Sequence, residues 1–126
     1  MTYYRTTVVS VGPEAGDMLA GGVLILYAEP LPDALADVSV VHRPDQRARE
    51  ISGALTLGVG DVVSVGGHEL TITAVGDIAA TNLDELGHVV LYLDQPDQKL
   101  LPGAVHAAGG LPDPRPGHVI EFRSPR

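Results

Sequence analysis

Glycine and proline divide this sequence into short segments. The chain has 15 glycines and 10 prolines among 126 residues. The stretches between them are rich in Val, Thr, Ile and Leu, which favour extended strands. The pattern predicts short strands at residues 3–11, 22–28, 37–42, 61–65, 68–75, 88–94, 103–107 and 117–123. The sequence therefore indicates a mainly β protein.

Local signals for turns and helices are few. In DVVSVGGHELTITAV (61–75), Gly66-Gly67 separates two β-type runs and can supply the positive φ angles of a two-residue hairpin turn. Helices are predicted only in DQRAREISGAL (45–55) and DIAATNLDELG (77–87). In the second segment Asp77 is the candidate N-cap and Gly87 the candidate C-cap.

The expected architecture is a small closed or nearly closed β-barrel with one or two short helices. Closure removes exposed strand edges, which a set of many short strands otherwise leaves open. A two-sheet sandwich is the alternative. A chain of 126 residues is long enough for one core and short for two, and aromatic residues make up only 4%. We therefore expect one domain over residues 1–126, with a core of Val, Leu, Ile and Ala.

Charge and composition exclude several classes of function. The formal net charge is −8, with 16 acidic and 8 basic residues, which disfavours binding to nucleic acid or to anionic lipid. Because the chain has no cysteine, it has no disulfide, thiolate metal site or thiol nucleophile. Neither a signal-peptide pattern nor an apolar run of membrane-spanning length is present. We expect a cytoplasmic protein that does not insert into membranes.

Histidines are the side chains best suited to chemistry near neutral pH. The five histidines, His42, His68, His88, His106 and His118, are scattered, and none forms an H-x-H or H-x-x-x-H pair for a metal. A cupin-like metal site built on His88 and His106 lacks the partnering glutamate. No serine lies in a G-x-S-x-G elbow and no phosphate-binding P-loop is present. The sequence predicts neither a metal nor a cofactor.

His42 occupies a distinctive place in ADVSVVHRPDQ (36–46). In a strand, Val38, Val40 and His42 point to one apolar face, and Pro44 is expected to end the strand there. This predicts that His42 lies at the rim of the core, where partial desolvation lowers the pKa of the imidazole and keeps it neutral. A neutral imidazole is a competent nucleophile. The more common alternative is a hydrogen-bonded core histidine.

Several motifs carry a family resemblance across almost the whole chain. They are YRTTVVSVG (4–12), LILYAEPLPDALADVSVVH (24–42), TAVGDIAATNLDELGHVVLYLD (73–94), LPGAVHAAGGLPD (101–113) and PGHVIEF (116–122). In this order and spacing, they resemble the glucitol/sorbitol-specific enzyme IIA of the bacterial phosphoenolpyruvate-dependent sugar phosphotransferase system. The sequence departs from that family in the arginine-rich segment after His42 and in Gln95-Pro96.

The resemblance implies a small β-barrel phosphocarrier. Its phosphohistidine corresponds to His42, which would accept a phosphoryl group from HPr and pass it to a cysteine of enzyme IIB during glucitol/sorbitol uptake. His106 and His88 match family blocks and are candidate orienting or structural residues, with His106 the stronger of the two. Arg43 is a candidate phosphate contact because it is adjacent to His42. A homodimer formed through an edge strand is left open.

The competing hypothesis is a non-catalytic β-barrel binding or regulatory module that has lost its transporter. In that case His42 is a satisfied core residue. A reactive His42 is expected to be accessible to diethyl pyrocarbonate in the folded protein, and a buried core histidine is not.

Overall fold

The computed structural model describes residues 2–45 and 55–125. Within these residues eight strands form a closed barrel in the order β1-β3-β2-β6-β7-β5-β4-β8, with β8 paired back to β1. The strands are β1 Thr2–Val11, β2 Val23–Ala28, β3 Val40–Pro44, β4 Val62–Val65, β5 His68–Val75, β6 Val89–Leu93, β7 Ala104–Ala108 and β8 Val119–Arg123. The barrel prediction is confirmed, and the sandwich is not observed.

Closure gives each described strand two neighbours. The β2·β3 and β6·β7 pairs are parallel, and the other neighbouring pairs are antiparallel. No described strand is therefore left with a free edge of the kind considered from the sequence for pairing two copies.

The third strand is the one whose predicted bounds are furthest from those observed. It was expected at residues 37–42 and lies at Val40–Pro44. The residues before it fold instead into a single helical turn, Asp33–Ala36. The Ser39 hydroxyl donates to the Leu35 carbonyl, which keeps the chain in a turn and delays the start of the strand.

The described residues contain three short helices. These are α1 Ala15–Ala20, α2 Asp33–Ala36 and α3 Ala79–Leu86. Only α3 was predicted, because the other two are too short to show a helical period. The expectation that Asp77 caps α3 is wrong, since Ile78 is the N-cap and makes no side-chain cap bond. Gly87 is the C-cap as predicted, in the left-handed region with φ of 63°. The other predicted helix (45–55) lies, apart from its end residues, outside the described residues.

The glycine pair forms the predicted hairpin turn. Gly66 and Gly67 have φ of 57° and 93°, and Val65 pairs with His68 across the β4·β5 ladder. Positive φ at both central residues matches the right-handed twist of the flanking strands.

The core fills the barrel interior. Alternate residues along each strand point inward, and aliphatic side chains dominate, with Phe122 packed edge-to-face on Tyr4 at 5.7 Å between ring centroids. Three polar residues, Thr6, Ser39 and His42, are also fully buried, with 0% exposure each. Among the described residues, no helix is long and apolar enough to span a membrane.

Candidate active site

His42 lies on the inner face of β3, between β1 and β2. It pairs with Val8 on β1 and with Ala28 on β2. As predicted, its side chain shares the inner face with Val40, which belongs to the core. The prediction that it lies at the rim is wrong. The strand continues to Pro44, and the imidazole is completely buried.

Both ring nitrogens of His42 are within hydrogen-bond distance of a protein oxygen. Nδ1 lies 2.5 Å from Thr6 Oγ1 on β1. Nε2 lies 2.6 Å from the carbonyl oxygen of Gly87, at the end of α3. The ring is therefore fixed between the wall of the barrel and a helix terminus.

These two contacts define the proton positions on the neutral ring. A carbonyl oxygen can only accept, so Nε2 carries the proton and donates it to Gly87. Nδ1 then holds the lone pair and accepts from the Thr6 hydroxyl, which can donate or accept. In this structure the nucleophilic lone pair points into the barrel and the N–H points toward Gly87.

Burial favours the neutral form of this imidazole. Desolvation lowers the pKa of His42 to about 4, and the hydrogen bond to Gly87 opposes that shift only in part. The surroundings are consistent with this, because the Tyr4 ring meets His42 edge-on at 6.5 Å between centroids. The ring is thus neutral around pH 7, as the sequence predicted.

Gly87 reaches His42 because a glycine ends α3. Its positive φ lets the chain turn back sharply after the helix. A Cβ at this position would clash with Ala28 on β2. Glycine therefore allows both the turn and the close approach that brings the carbonyl onto Nε2.

A surface cleft of about 390 Å³ lies above this contact. Gly87 and Ala28 line it, and so do Glu29, Arg43 and the exposed Leu86. Arg43 is itself exposed and is bound by Glu29, whose Oε1 accepts from Nε at 2.8 Å and from Nη2 at 2.5 Å. The predicted phosphate contact thus lies at the mouth of the site, held by a carboxylate.

His88 follows Gly87 but points away from His42. Its Nδ1 lies 3.1 Å from the Leu26 carbonyl oxygen, and its ring stacks on Tyr27 at 4.4 Å between centroids. These contacts join the chain after α3 to β2. His88 is therefore near the site and shares no contact with the imidazole of His42.

His106 is not part of this site. It alternates along β7 with Val105 and Ala107, which belong to the core, so its side chain lies on the outer face of the barrel. Three strand spacings separate β7 from β3 in the barrel, which corresponds to about 14 Å. The prediction that His106 orients His42 finds no contact to support it.

His106 is also remote from His88. It pairs with Tyr92, four residues further along the chain than His88, a separation of about 13 Å along a strand. Within residues 2–45 and 55–125, no group of three or more His, Asp or Glu side chains is placed to hold a metal ion.

Thr6 and Gly87 are the two site residues that the sequence did not identify. Thr6 had a weak signal, because it alternates with Tyr4 and Val8 on one face of β1, and a hydroxyl on an apolar face needs a partner. Gly87 was predicted as a helix cap, but its contact with His42 depends on how the end of α3 packs against β2 and β3. No local pattern encodes that packing.

Comparisons with known proteins agree with this fold. The crystal structure of a PTS system IIA component from Enterococcus faecalis V583 superimposes with a TM-score of 0.81 at 27% identity, covering 94% of this chain and 98% of that one. The fold is thus that of a IIA component of the sugar phosphotransferase system (PTS).

Sequence comparisons specify the family. The model of the PTS glucitol/sorbitol-specific IIA component matches residues 3–121. The glucitol/sorbitol-specific EIIA components of Shigella flexneri and of Escherichia coli (strain K12) are each 39% identical over 122 residues, which is 96% of this chain and 94% of theirs. This chain belongs to the glucitol/sorbitol-specific IIA component family, and it is a phosphotransferase component. Membership supports a phosphocarrier role and interaction with phosphotransfer partners.

Proposed function

We propose that this protein, acting as one domain in the cytoplasm, accepts a phosphoryl group on His42 from phospho-HPr. It then passes the group to a cysteine of enzyme IIB during glucitol/sorbitol uptake. The observation that carries the proposal is that the imidazole of His42 is hydrogen-bonded at both ring nitrogens. Of the five histidines, all within the described residues, it is the one with contacts at both ring nitrogens.

A fixed, neutral imidazole suits phosphoryl transfer. The protein contributes mainly in-line positioning and charge stabilisation in such reactions. The neutral ring supplies a lone pair for attack on phosphorus, and two hydrogen bonds restrict its rotation. Desolvation, which lowers the pKa of His42 to about 4, keeps the lone pair available at neutral pH.

Arg43 is the candidate that binds the transferred group. It lies at the mouth of the cleft above Gly87, and its guanidinium is bound to Glu29. A phosphoryl group carries more negative charge than a carboxylate and offers more acceptor oxygens, so it can replace Glu29 on the guanidinium. The exposed ion pair is weak enough to exchange.

Transfer also requires an opening movement. His42 has no exposed surface, and the backbone of Gly87 separates Nε2 from the cleft. Docking of phospho-HPr over the cleft must therefore displace the end of α3.

The test is intact-protein mass spectrometry after incubation with phosphoenolpyruvate, enzyme I and HPr. We expect one acid-labile phosphoryl group on the wild type and none on His42→Ala. The His106→Ala variant is the matched control, because it removes a second buried imidazole, and it is expected to be labelled like the wild type. Labelling of His42→Ala, or an unlabelled wild type beside a competent HPr, would refute the proposal.

The non-catalytic module remains the second candidate, and one observation favours it. Complete burial of His42 with both nitrogens paired is what a satisfied core histidine shows. The free protein should then resist diethyl pyrocarbonate at His42 under either hypothesis. Mass spectrometry with phospho-HPr separates the two, since only a carrier acquires the phosphoryl group.

A further inference from the structure

We infer that Thr6 is a positioning residue for the phosphoryl transfer, because its hydroxyl holds Nδ1 of His42 and leaves Nε2 as the nitrogen that takes the phosphoryl group. This inference rests on the proposed phosphocarrier function. It assigns a role to a residue that the sequence did not single out.

The two sides of the imidazole differ in their access to solvent. Nδ1 faces Thr6, which is fully buried on β1 between the buried residues Tyr4 and Val8. Nε2 faces Gly87, which lines the surface cleft. A donor docked on the outside therefore reaches Nε2 once the Gly87 carbonyl has moved, whereas Nδ1 stays enclosed by the barrel.

The resting tautomer has its proton on the wrong nitrogen for this attack. Nε2–H donates to Gly87, and the lone pair is on Nδ1. Reaction at Nε2 requires the lone pair there and the proton on Nδ1, where a buried N–H needs an acceptor. The Thr6 hydroxyl serves both states, because it donates to Nδ1 at rest and accepts from Nδ1–H in the reactive tautomer.

Water admitted when the Gly87 carbonyl moves first exchanges the ring proton from Nε2 to Nδ1. From that tautomer the transfer step itself needs no added acid or base. The Nε2 lone pair forms a bond to phosphorus as the bond from phosphorus to the donor ring nitrogen breaks, and that electron pair returns to the donor nitrogen. Nδ1 keeps its proton and donates a hydrogen bond to the Thr6 hydroxyl oxygen, so the positively charged phosphorylated ring faces a hydrogen-bond acceptor. The donor leaves as a neutral imidazole if it enters with its other nitrogen protonated.

The main experiment measures the rate of phosphoryl transfer from phospho-HPr to purified variants by rapid quench. Thr6→Val keeps the branched shape but cannot accept a hydrogen bond from Nδ1–H. Because the buried Nδ1–H then lacks an acceptor, phosphoryl transfer is expected to slow about 10- to 100-fold. Thr6→Ser restores the hydroxyl and is expected to stay within about threefold of wild type. Thr7→Val is the matched control, since Thr7 is exposed on the opposite face of the same strand.

Two outcomes of this experiment are decisive. If wild type is labelled and Thr6→Val is labelled as fast, the positioning role is wrong while the phosphocarrier function stands. If wild type takes no phosphoryl group at all, the phosphocarrier function itself fails. Far-ultraviolet circular dichroism and thermal unfolding establish that Thr6→Val is folded under the assay conditions.

A second measurement uses only the wild type. Ring nitrogen-15 NMR of His42 should show the proton on Nε2 in the resting protein and, after phosphorylation, the phosphoryl group on Nε2 with the proton on Nδ1. Phosphorylation on Nδ1 would overturn the inference even if Thr6→Val proved unfolded.

Discussion

The two buried histidines of this protein have opposite surroundings. His42 points into the barrel, and each of its ring nitrogens faces an oxygen. His106 lies on the outer face with 7% exposure, meets Tyr92 edge-on at 5.8 Å between ring centroids, and has no hydrogen-bond partner for Nε2 among the described residues. Both imidazoles are withdrawn from water, and only one has its proton positions defined by the protein.

This difference shows that burial alone does not mark the reactive histidine. A buried ring whose Nε2 has no hydrogen-bond partner is not held by hydrogen bonds at both nitrogens, so the protein does not fix its lone pair. Two hydrogen bonds from different elements, β1 and the end of α3, fix the other ring. The following predictions test how much stability and reactivity depend on those two bonds.

The largest loss in the free energy of unfolding is expected for His42→Leu. A leucine fills most of the space but leaves the Thr6 hydroxyl and the Gly87 carbonyl buried without a partner. Each unmet group costs about 1–3 kcal/mol, so we expect a loss of about 4 kcal/mol in the free energy of unfolding, measured by urea titration at pH 7. Adding Thr6→Val should recover about 1 kcal/mol by removing one unmet group. A loss below about 1 kcal/mol would show that the two bonds contribute little.

Gly87→Ala should cause the second largest loss in the free energy of unfolding. The added Cβ clashes with Ala28, and a left-handed φ disfavours alanine, which together cost about 3 kcal/mol in unfolding free energy. Gly67→Ala is the matched control, because Gly67 also has positive φ but an open surrounding. It should lose only about 1 kcal/mol. Equal losses in urea titrations of the two variants would mean that the close approach at Gly87 adds no strain.

The sequence predicted the parts of this arrangement that depend on local pattern. The glycine and proline positions, the β-favouring segments between them and the Gly66-Gly67 turn predict the strands, and the need to close exposed strand edges predicts the barrel. Gly87 was correctly identified as a helix cap. The predicted rim position of His42 was wrong, because its burial depends on tertiary contacts such as the one with Gly87 at the end of α3. The inner position of Thr6 follows from alternation, but its pairing with His42 depends on the β1·β3 register, which contains a bulge. The outer location of His106 likewise needed the register of β7.

The pH dependence of stability should report the burial of His42. Its pKa is about 4 in the folded state and 6.5 ordinarily, so the unfolded chain binds more protons between these values. Stability is therefore full above about pH 6.5 and falls as the pH is lowered toward 4. From pH 7 to pH 5 this one group should remove about 2 kcal/mol. Urea titrations of wild type and His42→Leu at both pH values isolate the contribution, and identical pH slopes would contradict it.

The smallest change in the free energy of unfolding is expected for His106→Leu. The sign of this change completes the comparison of the two buried histidines. Replacing an imidazole whose Nε2 is buried and unpaired removes a desolvated polar atom without leaving another group unmet. We expect the free energy of unfolding to stay within about 1 kcal/mol of wild type or to rise. A loss as large as that of His42→Leu would mean that His106 has an essential partner at Nδ1 or in its packing on Tyr92. The same substitution at two buried histidines thus distinguishes an imidazole fixed by hydrogen bonds at both nitrogens from one that is buried with an unpaired Nε2.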